Sequence, residues 1–371
     1  MSGGLRVLFA NHNGRDAAGG GGKVLAETME ALRALGVDAE VTTDLYPDVR
    51  GFDLVHAFNV WPPETSLTQM RYLHETGASI VWEPIFSDLH EFAWAARAIS
   101  RLDGLQPDSR DWRRVFAEME SGELVVDGMS RWSPNEICPG YLAATAEMFA
   151  MASHVSVCSL HEIGMLSRVA PGVRTSFTLV PHGVDAFSFA SATARDFTDR
   201  YELADFILCV GSVEPRKNQL ILTEAARHLD RKIVLVGPSH PSERAYLELC
   251  RACGGDALIH IDQIPRELVA SAYKAAAVHV LPSFAEGSSL ATMEAAAAGC
   301  DIVTSNRGSE LEYYGDLVRT CDPLSPSSIR NAIEYALRDT RGERLAAHML
   351  GFSWFRTAEA TLGAYSRTLG G

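Results

Sequence analysis

Short apolar runs of strand length alternate along the chain with longer stretches whose apolar residues recur at helical spacing. That alternation marks a parallel α/β architecture. Residues 5–10 read as a buried strand running into a glycine-rich turn, and residues 23–35 follow as a helix (Leu25, Met29, Leu32) that stops at Gly36. Strands are predicted over 39–42, 53–58, 78–82, 155–158 and 176–180. The rhythm then restarts with a strand over 206–210, a helix over 219–229 and strands over 233–236, 258–261, 278–281 and 302–304. Two consecutive runs of βα units predict two doubly wound domains facing each other, with a break after Asp185 in the Ala- and Ser-rich stretch through Ala194. Residues 97–140 lack strand signals and place Trp112, Trp132 and charged residues at helix-like spacing. They are expected to form a helical insertion over one face of the first domain.

The chain of 371 residues fits this division, because single cores stop growing near roughly 250–300 residues. Charge narrows the function classes. Lys and Arg number 33 against 47 Asp and Glu, a net charge of −14. Nucleic-acid binders carry a surplus of cations instead, so nucleic acid is excluded as the main partner. Residues 1–190 hold 14 basic and 24 acidic side chains, which gives the first half no basic face for an anionic membrane, and membrane association is expected to be weak or absent. Seven scattered cysteines do not form a disulfide framework, no apolar run has membrane-spanning length, and the N-terminus lacks the pattern of a signal peptide. A cytoplasmic location is expected. Cys250-Arg-Ala-Cys253 has no second pair beside it and reads as buried thiols rather than a metal site.

Candidate chemistry gathers at strand-to-helix turns, where ligands bind in such sheets. Gly19-Gly20-Gly21-Gly22-Lys23 lies between the first strand and the first helix, where successive amides can approach an anion or simply form a flexible turn. Gly211-Ser-Val-Glu-Pro-Arg-Lys-Asn218 occupies the equivalent turn of the second half, with Arg216 and Lys217 suited to a diphosphate or to a solvated loop. Glu286 follows a strand, the nearby serines can cap the next helix, and Glu294 sits on that helix among Ala291, Ala295 and Ala298. A carboxylate in such company needs a partner, either a ligand's vicinal hydroxyls or a structural cation.

These residues resemble the family-4 (group 1) retaining glycosyltransferases of the GT-B fold. The resemblance is carried by the Glu214-Pro-Arg-Lys-Asn218 turn, by Pro282-Ser283 followed by Glu286-x7-Glu294, and by Ala297-Ala-Gly299. Ser309-Glu310 with Gly315-Asp316, Val55-His-Ala-Phe-Asn59, Pro181-His-Gly-Val-Asp185 and Phe352-Ser-Trp354 continue it. It covers nearly the whole chain except 97–140. It implies two facing Rossmann-like domains with an interdomain cleft: 1–185 binding the acceptor and 195–354 binding a nucleotide-sugar donor, with a terminal helix over 355–371 returning to the first. It implies that Glu286 contacts the donor sugar, Glu294 the ribose, and Arg216 and Lys217 the diphosphate. The amides around Ser288, Ser289 and Leu290, with Gly19, Gly20 and Gly21, complete the phosphate cradle. No metal or other cofactor is implied; the donor is expected to be a UDP- or GDP-sugar. The acceptor hydroxyl is left open among saccharide, lipid-linked, small-molecule and protein acceptors, with polysaccharide or glycoconjugate synthesis the expected setting.

Three positions depart from the family. Ser212 stands where many relatives have Arg, Gly287-Ser-Ser-Leu290 replaces Gly-Phe-Gly-Leu, and Trp82-Glu83-Pro84 stands where a His-Asp pair often ends the fourth strand. Glu83, Ser87 or His90 is then the candidate to replace the family's histidine, with Glu83 taken first as a catalytic candidate. His182 is either a packing residue or a ligand contact, and Trp112 and Trp132 either stack on a sugar or pack in a core. Two rival readings are a nucleotide-sugar 2-epimerase and a catalytically silent relative that binds nucleotide-sugar as a partner or scaffold.

Overall fold

The computed structural model describes residues 4–12, 20–131 and 140–370. The chain divides into two compact units: Met1–Asp88 with Glu136–Val184 and Phe352–Gly371, and Leu89–Asn135 with Asp185–Gly351.

Among the described residues, the first unit holds a parallel sheet of β1 (Arg6–Ala10), β2 (Asp38–Thr42), β3 (Leu54–Phe58), β4 (Ile80–Glu83), β5 (His154–Val157) and β6 (Phe177–Leu179). Their order is β2-β1-β3-β4-β5-β6. Every residue of β3, β4 and β5 is buried, because helices cover both faces of such a sheet. The first helix, Gly20–Ala34, buries Val24, Leu25, Thr28, Met29 and Leu32 along one stripe. The terminal helix Trp354–Leu369 starts at a Ser353 cap, buries Thr357, Ala358, Thr361, Ala364 and Tyr365, and packs on Gly20–Ala34. Gly183 permits this return. A Cβ built there would overlap Trp354 N and lie 2.5 Å from the Ser353 carbonyl carbon, and the Val184 amide donates to Phe352 O at 3.0 Å.

The second unit repeats the plan with β7 (Ile207–Val210), β8 (Ile233–Val236), β9 (Leu258–Ile261), β10 (Val278–Leu281), β11 (Ile302–Ser305) and β12 (Arg319–Cys321). All are parallel, in the order β12-β11-β10-β7-β8-β9. No helix among the described residues is long and apolar enough to cross a membrane.

The helical insertion departs from the expected packing. Instead of covering the first unit, helices His90–Ser100 and Arg110–Ser121 belong to the second. Trp94, Ile99, Leu102, Trp112, Phe116 and Met119 share one apolar core with Ile207, Leu220, Leu222 and Val280. Polar clasps fix the docking: the Trp112 indole N–H donates to Glu224 at 3.1 Å, Arg227 binds Asp108 at 2.9 Å, and Ser327 donates to Glu120 at 2.7 Å. Trp112 is therefore a fully buried core residue and no sugar platform. Trp132 lies outside the described residues. Cys250 and Cys253 are both buried, Cys253 facing Glu224, as thiols within this packing.

Candidate active site

In the second unit the chain leaves β7 at Gly211 and crosses a short 3-10 turn, Pro215–Lys217, before helix Gln219–Ala226. Asn218, at φ +61° and fully buried, secures the turn by donating to Pro282 O at 3.0 Å and Pro323 O at 2.7 Å. The Phe284 amide donates to Arg216 O at 2.9 Å, so the turn and the segment after β10 are stitched together. Gly211 leaves room for the Lys217 stem, whose Cε would be 3.6 Å from a Cβ there.

This stitching brings Arg216, Lys217 and Glu286 together. The Lys217 ammonium pairs with Glu286 Oε1, and Arg216 Nη1 reaches the same oxygen at 3.4 Å while donating to Ala285 O at 2.9 Å. Arg216 Nη2 also donates to Glu214 at 2.7 Å. Burial pushes the Glu286 carboxyl up, but Lys217 and Arg216 outweigh it and hold the group below its ordinary value. Two cations and two carboxylates thus cancel within one partly buried cluster at the carboxyl end of the sheet.

Glu286 runs into the loop that starts helix Leu290–Ala298. Ser289 caps it, accepting from the Thr292 amide at 3.3 Å, and Glu294 stands in its second turn, partly exposed. The amides of this first turn and those near Ser288 and Leu290 supply the anion-binding end of a helix dipole. Thr292 Oγ1 and Asn218 Oδ1 are buried here without a hydrogen-bond partner. Burial, with Lys217 adding, lowers His279 to about 3, so its ring is neutral. Arg307, after β11, joins the insertion to this end of the unit, donating to Glu91 at 2.6 Å and Asp322 at 2.8 Å.

Apart from His90, the remaining candidates lie in the first unit. Gly20 and Gly21 open its first helix; a Cβ on Gly21 would sit 3.2 Å from Asn59 Oδ1 and 3.6 Å from Ile85 Cδ1. Gly19 lies outside the described residues. Asn59 (φ +69°) and Ile85 (φ +48°) end β3 and β4 in a left-handed conformation that is costly for a β-branched residue. Glu83 differs from expectation. It is not placed to contact a ligand directly: it is 3% exposed, with His182 Nε2 at 3.1 Å from one oxygen and His56 Nε2 at 3.3 Å from the other. A carboxylate buried this deeply needs donors, and two imidazoles supply them. Burial alone would push Glu83 up; the His182 and His56 hydrogen bonds outweigh it and bring it down to about 2. His56 Nδ1 lies 2.8 Å from the Tyr365 hydroxyl, which ties the terminal helix into the same chain of contacts. His182 is likewise buried as a partner of Glu83. Ser87 accepts from the Tyr141 hydroxyl at 3.3 Å through its backbone carbonyl, and His90 begins the first helix of the insertion.

Residues 191–349 match the family described as Glycosyl transferases group 1. D-inositol 3-phosphate glycosyltransferase of Kribbella flavida is 31% identical over 231 residues, 55% of this chain and 53% of the relative. O-antigen chain mannosyltransferase B of Escherichia coli is 29% identical over 209 residues, 53% and 55% respectively. The chain thus spans about half the length of these curated relatives. Among solved structures, sucrose-phosphate synthase from Thermosynechococcus elongatus shares the fold, with a TM-score of 0.71 at 17% identity over 99% of each chain. Residues 191–349 thus resemble the group 1 glycosyl transferases, and the chain as a whole shares the GT-B fold.

Proposed function

We propose that this protein transfers a sugar from a nucleotide-diphosphate sugar, UDP- or GDP-linked, to a hydroxyl acceptor, with retention at the anomeric carbon and without a metal ion. The observation that carries this reading is the Arg216–Lys217–Glu286 cluster at the carboxyl end of the second sheet. A diphosphate takes over the cations, and the sugar's hydroxyls take over Glu286 as their acceptor. Glu294 accepts from the ribose hydroxyls, and the amides from Ser288 to Leu290 hold phosphate oxygens.

The glycosidic C–O bond breaks as negative charge grows on the β-phosphate. Arg216 and Lys217 already stand where that charge appears, so little reorganisation is needed at the transition state. The same two cations supply the neutralisation a divalent ion provides in other sites. The acceptor hydroxyl attacks from the face the phosphate leaves, and the departing phosphate takes its proton. The relatives' names point to phosphorylated polyols and polysaccharides as acceptor classes for this chain.

The test is a binding and turnover screen of the purified protein against UDP-, GDP-, ADP- and TDP-sugars, with and without chelator. One donor is expected to be hydrolysed slowly in the absence of acceptor, chelator is expected to have no effect, and Glu294→Ala is expected to weaken binding. Failure of every donor to bind, with Glu294→Ala silent, removes the donor-site reading. Binding without turnover across an acceptor panel favours the silent relative.

A further inference from the structure

Glu310 is a buried acid that the chemistry above does not use. It is 3% exposed, and neither carboxyl oxygen has a hydrogen-bond partner on another residue. Its side chain folds back over Gly308, where a Cβ would overlap Oε2 and lie 3.0 Å from the carboxyl carbon. Ser309 donates to Gly287 O at 2.8 Å, which fastens the Glu310 turn to the loop carrying Glu286. The titratable groups whose charge bears on Glu310 are Lys217 from the β7 turn, Glu286 from the β10 loop, Cys321 on β12 and Tyr314 on its own short helix. Burial keeps the Cys321 thiol and the Tyr314 phenol neutral, so the charges that matter are Lys217 and Glu286.

The charges of Arg216, Lys217, Glu214 and Glu286 already cancel. Glu310 therefore decides the net charge that an arriving anion meets. We propose that Glu310 is a positioning residue that makes diphosphate affinity depend on a proton: the site accepts the anion when Glu310 is neutral and repels it when Glu310 is ionised. The proposal rests on the reading that this cluster binds a nucleoside diphosphate. Burial raises the carboxyl to about 8, with Glu286 adding and its own backbone amide and Lys217 opposing, so the switch falls just above neutral pH.

If only the neutral form is competent, apparent affinity falls with the neutral fraction, which is about tenfold between pH 7 and pH 9. The experiment is calorimetric titration of the full chain with UDP and with GDP from pH 7 to pH 9, for the unaltered protein and for Glu310→Gln. Ligand ionisation is common to both proteins, so the difference between them reports Glu310. The expected result is about tenfold weakening in the unaltered protein and little in Glu310→Gln, with equal affinities at pH 7. The same slope in both proteins overturns the proposal. Should Glu310→Gln fail to fold, titration of the unaltered protein in two buffers at pH 8 decides: about half a proton taken up per diphosphate supports it, and none overturns it. If the unaltered protein binds neither nucleotide at pH 7, the donor-site reading fails first and this proposal with it, an outcome separate from binding that lacks the pH slope.

Discussion

Lys217 and Glu286 hold each other in a partly buried pair, and without Lys217 the carboxylate relies on Arg216 at 3.4 Å. Lys217→Ala is expected to lower kcat by about 10²–10³-fold, the usual scale for a preorganised group facing developing charge. Combined with Glu286→Gln, the loss should fall well short of the product of the two single effects, which a double-mutant cycle in kcat/KM measures. Glu83 calls for a different experiment. Its carboxyl is held to about 2 in the folded protein, so it contributes stability that is present above the ordinary carboxylate range and lost as pH falls through about 2. Glu83→Gln should flatten that acid limb in a series of denaturation midpoints, while a limb unchanged from the parent would show that the imidazoles do not hold the carboxylate. Glu310 has the opposite sign. Its raised value means stability that is complete below the ordinary carboxyl range and declines as pH rises towards about 8. The sequence could point to Arg216, Lys217 and Glu286, because their spacing around two strand ends is a local pattern. It could not show that Glu83 would meet His56 and His182, since those meetings depend on strand order.

At the scale of elements, strands dominated by apolar residues were the legible ones: 233–236, 258–261 and 278–281 agree with β8, β9 and β10 residue for residue. β12 was missed. It has three residues at the sheet edge, two of them polar and only partly buried, and so leaves no periodicity to read. β4 begins later than expected, at Ile80, and runs one residue further, to Glu83. The insertion shows a further limit: apolar residues at Trp112, Val115, Phe116 and Met119 announce a helix with one buried face, but periodicity does not say which surface that face meets. Its partner is the second unit's core. Trp112→Ala is therefore expected to cost about 3–5 kcal/mol and to loosen helix Gln219–Ala226 before any strand of the first unit, an order that hydrogen exchange resolves. Earlier exchange in β3 and β4 would contradict this assignment.

At the scale of the whole chain, moving the insertion changes the charge account. The first unit carries 10 basic and 16 acidic residues, net −6, and the second 23 and 31, net −8. The acidic surplus expected on the acceptor side is spread over both units, and Arg216 and Lys217 work against a negative background of their own. The return of the terminal helix sets a further constraint, because Gly183 leaves no room for even a methyl group beside Ser353 and Trp354. Gly183→Ala is expected to lower stability by about 1–3 kcal/mol, read as a drop in Tm, with the loss localised to the first unit by proteolysis.

That crossing also bears on the order in which the protein is made. Most of the first unit leaves the ribosome early, yet it lacks Tyr365 and the helix that covers Gly20–Ala34 until Phe352–Gly371 emerges. The second unit has all its segments once Gly351 is out. Vectorial synthesis is thereby inverted: the half translated first is closed last, and its exposed apolar stripe must be kept from aggregation while the other half is being made.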